Sequence, residues 1–253
     1  VHEAVDTKGI VRYYDNNNFY REPVVEGELG FDGDLAADLE AAADIVGTDS
    51  LQAVVPGPYS LTDLATDAYY GNSEDFLDAI ADFLAGEIEA FPAVETVFLL
   101  EPSLVVNPPD DGADERASAA ISRVARATDA EVVVQTYWGA LTEKVHAHLL
   151  DAAIDAVGYD FVSDHEANLY NISEYGTEES VALGVVDGQN TLVEEPAKIA
   201  ERVEWVREKL PVQGFDQVYL TPNTELFYLP VSKCREKLAA LAEAASPAEV
   251  SAT

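Results

Sequence analysis

Six short runs of consecutive apolar residues recur along the chain: QAVVP (52–56), ETVFLL (95–100), EVVVQT (131–136), AVGYDFV (156–162), VALGVV (181–186) and DQVYLT (216–221). None alternates apolar with polar residues. A strand with one wet face has to alternate, because successive side chains point to opposite faces. Continuous runs therefore mean strands covered on both faces, the condition of a parallel sheet. Parallel neighbours need a crossover between them, and the intervening segments supply helices. In SEDFLDAIADFLAGEIEAF, residues Phe76, Ile80, Phe83, Leu84, Ile88 and Phe91 share one helical face, with Ser73 expected as the N-cap and acids in the first turn. EEPAKIAERVEWVREKL sets Pro196 at a helix start and aligns Ile199, Val203, Val206 and Leu210, while Pro230 opens a last helix through Cys234, Leu238 and Leu241. Six strand–helix units in series predict an α/β domain.

A doubly wound sheet that binds a dinucleotide would carry G-x-G-x-x-G after an early strand, and that motif is absent. The alternative is a (β/α)8 TIM-type barrel. Six units leave that barrel incomplete, and the chain begins with Val1 and has no methionine, so the first two strands are expected upstream. Such a barrel has two unpaired strand edges, and a version extended upstream is expected to be the more stable. The domain is expected to span residues 1–245. Within it, residues 1–30 read as a hairpin or extended excursion, because VRYYDNNNFYREPVV offers an Asn run between two aromatic arms. Residues 246–253 read as a frayed tail.

Charge narrows the partners. The chain carries 48 acidic against 14 basic residues, a net charge of −34, with the acids spread along its length. That is the surface of a protein kept soluble in molar salt, where screening acts within about 3 Å. The expected setting is an extreme halophile's cytoplasm. No basic face for nucleic acid can be assembled from these residues, and no apolar run approaches the roughly 18 residues of a membrane span. Cys234 is the lone cysteine, which excludes an internal disulfide. It reads as a small core residue.

Five segments, VVPGPYSL (54–61), FLLEPSL (98–104), VVVQTYWGAL (132–141), GVVDGQNT (184–191) and LTPNTELFYLP (220–230), follow one another in the order and spacing of cobalamin-independent methionine synthase barrels. The chain resembles that family, within the methionine synthase and uroporphyrinogen decarboxylase superfamily. The resemblance implies a paired-barrel system in methionine biosynthesis, in which a zinc-bearing barrel transfers a methyl group from 5-methyltetrahydrofolate, with its polyglutamate tail, to homocysteine. The family's zinc ligands match Gln135, Tyr137, Asp160 and Thr224 here. Only Asp160 is a competent ligand, so no metal is expected in this chain, and zinc is expected on a separate partner barrel. The acid opening the family's DEPAL motif is Leu100 here, which leaves Glu101 alone. The chain looks like the metal-free N-terminal barrel, a component of the methyltransferase. Two alternatives stand beside this: a non-catalytic binding or scaffold subunit, and a uroporphyrinogen-decarboxylase-like enzyme suggested by the superfamily alone.

Glu101, Gln135, Tyr137, Asp160, Asp187, Asn190 and Asn223 each stand at or just beyond a strand's C-terminal end, the catalytic face of a barrel. They would form either a ring that binds folate or another small polar ligand, or a plug of mutually satisfied polar groups. Asp187 reads as a turn-former, since the following Gly188 tolerates positive φ. His146 and His148 point to different sides of a helix and share no metal, and His165 reads as a loop histidine. Tyr13, Tyr14, Phe19 and Tyr20 either stack on a pterin or pack against the barrel, with Arg12 and Arg21 as the cations for a polyglutamate tail.

Overall fold

The computed structural model of the chain describes residues 2–14, 17–48, 51–210 and 214–246. An antiparallel hairpin of β1 (Val5–Arg12) and β2 (Phe19–Val25) comes first, then α1 (Asp34–Val46). Next are β3 (Gln52–Pro56), α2 (Pro58–Leu64), the two-residue β4 (Thr66–Asp67) and α3 (Ser73–Glu89). β5 (Thr96–Leu100) is followed by α4 (Ser103–Val106) and α5 (Ala113–Ala125), β6 (Glu131–Gln135) by α6 (Glu143–Leu150), and β7 (Ala156–Asp160) by α7 (His165–Tyr175). β8 (Ser180–Val186) precedes α8 (Pro196–Lys209), and β9 (Val218–Pro222) precedes α9 (Val231–Ala245).

All six apolar runs are strands of one parallel sheet, ordered β3-β5-β6-β7-β8-β9. The order follows the chain, as right-handed crossovers to the adjacent position produce. The sheet is curled. In a flat sheet β9 and β6, three places apart, would be separated by about 14 Å. Instead the Tyr219 hydroxyl donates to Glu131, Thr221 Oγ1 donates to Gln135 Oε1 over 3.2 Å, and the Tyr219 ring meets Phe98 edge-on with centroids 5.7 Å apart. The strands therefore form the wall of an incomplete barrel, with β3 and β9 as its edges among the described residues.

Pleating divides the central strands β5 to β8 between two cores, while the inward-facing Val54 of the edge strand β3 is exposed. Val97 and Leu99, Val132 and Val134, and Val181 and Leu183 face outward into the main core beneath the helices, while Phe98, Val133, Ala156 and Ala182 form a smaller cluster inside the curl. Outside the sheet, Phe76, Ile80, Leu84 and Ile88 of α3 are buried, each contributing about 1.5–3 kcal/mol relative to exposure. Phe83 and Phe91 are only half-buried.

Two helix expectations are corrected. Asn72 caps α3, not Ser73: its extended backbone lets the side-chain oxygen accept from Asp75 N, leaving Ser73 as the first helical residue. In α9 the buried residues are Lys237, Ala240 and Leu241, whereas Cys234 is half-buried and Leu238 is 49% exposed. The helix is turned this way because Lys237 Nζ donates to Leu192 O and to Glu194 Oε2, both on the loop after β8.

The expected excursion at 1–30 is a hairpin confined to residues 5–25, and β2 also pairs in parallel with β4 through Val24 and Val25. Val1, part of the Asn run and residues 247–253 of the expected tail lie outside the described residues. Among the described residues no helix is long and apolar enough to cross a membrane.

Candidate functional site

The C-terminal ends of the six strands meet at one rim of the curled sheet, and the sequence-predicted residues occupy it in three different ways. Glu101, just past β5, is fully buried and caps the adjacent helix: Oε1 accepts from Tyr59 N at 2.9 Å and Oε2 from Ser60 N at 2.7 Å. The carboxyl fills the space a side chain at residue 57 would need, since a Cβ on Gly57 would lie 2.3 Å from Glu101 Cδ. Burial away from any cation pushes the Glu101 pKa up to about 7, against the lowering effect of its hydrogen bonds.

Asp160, at the end of β7, and Asn223, just past β9, form the second group. Asp160 Oδ2 accepts from Trp138 N, Oδ1 accepts from Val162 N and Ser163 N, and the Asn223 side-chain amide donates to both oxygens at 3.1 and 3.2 Å. Asn223 Oδ1 in turn accepts from Gly188 N at 2.9 Å. One buried carboxylate thus joins the segments after β6, β7 and β9. It also holds Trp138 in the left-handed region at φ 65°, a conformation that costs a non-glycine residue about 1–2 kcal/mol.

Gln135 lies across the inside of the curl, its amide donating to Thr136 O at 3.0 Å. A Cβ on Gly158 would sit 2.4 Å from Gln135 Oε1. Gly158→Ala is therefore expected to destabilise the chain by about 1–3 kcal/mol, the usual cost of overpacking. Chemical denaturation measures this, and an unchanged midpoint would mean that Gln135 swings aside freely.

Asp187 and Asn190 stand outside this cluster, in the loop after β8, where their side chains cap Gln189 N and Leu192 N. Asp187 is the turn-former the sequence suggested, but Gly188 does not have positive φ. Glycine is required there by proximity, because a Cβ would lie 2.4 Å from Thr224 Oγ1. The histidines are separate. His146 is buried beneath the sheet, with Nε2 2.9 Å from the Tyr159 hydroxyl, while His148 Nε2 lies 3.8 Å from Asp114 Oδ2. His165 opens α7 rather than lying in a loop, and meets Trp205 edge-on.

The hairpin reaches over the rim. Tyr14 contacts the Trp138 ring at 5.0 Å and bonds Ser103 Oγ at 2.7 Å, while Tyr13 contacts Trp138 at 5.9 Å and Phe227 at 5.7 Å. Tyr13 donates its hydroxyl to Glu225 Oε1. Tyr137 is buried beside this cluster and shares a hydrogen bond with the Glu225 carboxyl, while Trp138 Nε1 has no hydrogen-bond partner among the described residues. Glu225 and Trp138 were not among the predicted residues. The only sequence signal for Glu225 was an isolated acid in the otherwise uncharged LTPNTELFYLP, and nothing local marked the backbone strain of Trp138.

A family model described as cobalamin-independent synthase, N-terminal domain, matches residues 2–211. The chain belongs to this family. Among relatives of this synthase domain, the 5-methyltetrahydropteroyltriglutamate--homocysteine methyltransferase of Bacillus subtilis is 27% identical over 187 residues, covering 71% of this chain and 23% of the relative. The methionine synthase of Saccharolobus solfataricus is 22% identical over 228 residues, covering 89% of this chain and 67% of the relative. The chain thus spans about a quarter of the bacterial relative's length and two thirds of the archaeal one's. In structure, the B12-independent methionine synthase from Shewanella sp. W3-18-1, solved with selenomethionine, superposes with a TM-score of 0.77 at 19% identity over 96% of this chain and 75% of that one. At that identity the likeness speaks for the fold, and it agrees with an incomplete barrel. The synthase-domain match takes in β3 to β8 with the whole rim except the segment after β9, which carries Asn223 and Glu225.

Proposed function

We propose that this synthase domain serves methionine biosynthesis in the cytoplasm as the zinc-free half of a methyl-transfer pair. A separate zinc-bearing barrel would activate homocysteine and accept the methyl group of 5-methyltetrahydrofolate, and this chain would complete the folate-binding side or dock that barrel. The observation that carries the reading is the state of the four positions matching the family's zinc ligands. Gln135, Tyr137 and Thr224 offer no thiolate or imidazole. Asp160, the one group competent to bind a metal, already accepts three backbone N–H groups and the Asn223 amide. Recruiting it to zinc would strip buried donors of their acceptor, so the donor set does not fit the metal. Tyr137 is buried and its phenol is held protonated, far above the ordinary range, first by desolvation and then by the nearby Glu225 carboxylate.

The test is reconstitution in molar salt, in keeping with the acidic composition. Expressed with a zinc-bearing methionine synthase barrel, the chain is expected to co-purify with it. The pair is expected to methylate homocysteine from the reduced folate faster than the partner alone, with all zinc on the partner. One equivalent of zinc on the purified chain by itself would overturn the reading.

The scaffold alternative, a subunit that binds its partner without sharing in folate binding, has one observation in its favour. The rim is crossed by Tyr13–Glu225 and Tyr14–Ser103 hydrogen bonds that bring the hairpin down onto the strand ends. Under that reading co-purification persists and the folate rate is unchanged.

A further inference from the structure

The hairpin consists of two arms in series, divided by a break in its own ladder. Between Thr7, opposite Pro23, and Ile10, opposite Arg21, the two residues Lys8 and Gly9 of β1 face Glu22 alone on β2, which makes a β-bulge. A Cβ on Gly9 would meet nothing within 4 Å, so the bulge lies in open space. The near arm is rooted in the body of the domain. Val24 and Val25 are buried and pair with β4, Val5 packs on the main core, and Glu22 accepts from Thr66 Oγ1. The far arm, residues 10–12 with 19–21, contributes no side chain to either apolar core, and its Ile10 and Phe19 are 75% and 59% exposed. Tyr13 N donates to Asn18 O at 2.8 Å, so this arm carries Tyr13 with it as one body.

Three phenol hydroxyls and the ring edges around them hold the far arm down. Tyr13 donates to Glu225 Oε1, Tyr14 bonds Ser103 Oγ, and Tyr20 donates to Leu64 O at 2.9 Å. Exchanging such bonds for bonds to water costs far less than exposing a core, so this arm can leave its place while the domain stays folded. Closure is also strained: Tyr14, at φ 50°, and Trp138, at φ 65°, are both left-handed, and their rings meet. From this geometry we propose that the far arm is a strap that swings about the bulge. It is closed over the rim in this structure, and it opens to uncover Trp138, Glu225 and Ser103 while the near arm stays rooted. The proposal does not depend on the methyl-transfer reading, since it concerns access to the rim and not what enters there.

Distances between paired spin labels in molar salt test it, in a Cys234→Ser background that removes the lone natural thiol. One label sits at Tyr170→Cys, an exposed position on α7, as the reference; the other sits at Phe19→Cys on the far arm or at Asp6→Cys on the near one. The Phe19 label is expected to show the closed distance and a second one. Removing two of the latches in Tyr13→Phe/Tyr14→Phe is expected to raise the ratio of open to closed about tenfold or more. The Asp6 label is expected to keep a single distance throughout, which a chain that had merely unfolded would not do. Acrylamide quenching of Trp138, with Trp205→Phe removing the other tryptophan, is expected to rise with the open fraction. A single distance at Phe19 in the latch variant, an equal shift at Asp6, or quenching of Trp138 that stays level while the arm opens would each overturn the proposal.

Discussion

Replacing Asp160 with alanine is expected to lower the stability of the chain by about 3–5 kcal/mol, since several buried donors lose their acceptor at once and each orphaned group costs about 1–3 kcal/mol. The donors are Trp138 N, Val162 N, Ser163 N and the Asn223 amide, and the carboxylate that receives them is fully buried. Asp160→Asn keeps the volume but turns an NH2 group toward donors, so its cost is expected to be of the same order. Asn223→Ala is expected to cost less, because the three backbone groups keep their acceptor. Trp138 should report the change directly: once Asp160 no longer holds its backbone N–H, the left-handed residue is free to relax and its fluorescence should shift toward that of a solvated indole. Chemical denaturation of the three variants decides the matter. A loss below about 1 kcal/mol for Asp160→Ala would mean that water replaces the carboxylate without difficulty, and that the rim is not organised around it.

Stability is also expected to respond to pH through two buried groups acting in opposite directions. Glu101 has its pKa raised from 4.5 to about 7, so the folded chain binds that proton more tightly than the unfolded chain does. Its contribution is fully present below about pH 4.5 and is lost as pH rises through about 7. His146 has its pKa lowered from 6.5 to about 4 by burial. The Tyr159 hydroxyl donates to Thr177, so its oxygen accepts from His146 Nε2, and the neutral ring fits its place while the charged one does not. The contribution of His146 is therefore present above about pH 6.5 and is lost as pH falls through about 4. At about 1.4 kcal/mol per pKa unit, each swing is on the order of 3 kcal/mol, and between pH 4.5 and 6.5 the two offset one another. Compared with the parent at each pH, Glu101→Gln should lose its relative disadvantage by about 3 kcal/mol as pH rises from 4.5 to 8. His146→Gln should lose its own by a similar amount as pH falls from 7 to 4. Taking differences at each pH cancels the general self-repulsion of an acidic chain. Parallel stability curves for parent and variants would show that neither group titrates differently in the folded state.

The candidate site was legible in part. Position at a strand end is a property of sequence order, and every predicted residue stands at or beyond such an end. Side-chain direction is not such a property. Glu101 turned to the N–H groups of Tyr59 and Ser60, and Asp160 and Asn223 turned to each other, because each of these buried groups had to find donors or acceptors within reach. Asp187 and Asn190 stayed in their own loop, where local N–H groups satisfied them first. Glu225 escaped notice because its importance comes from Tyr13, a residue more than two hundred positions away in the chain.

What sequence alone determined is the layered architecture. Continuous apolar runs read as strands covered on both faces, which holds for β5 to β8, while β3 alternates exposed with buried residues and β9 is half-buried throughout because both lie at the open edges; the parallel order β3-β5-β6-β7-β8-β9 agrees with local pattern and short connections. The curvature of the sheet, the open edges at β3 and β9 and the meeting of Tyr13, Tyr137, Trp138 and Glu225 were decided in three dimensions. They depend on which side chains meet across the inside of the curl, as Tyr219 meets Phe98 and Thr221 meets Gln135. Periodicity reports whether a residue is covered, which is a one-body property of each position. The partner a buried polar group finds is a two-body property, set when distant segments pack, and only the folded chain contains it.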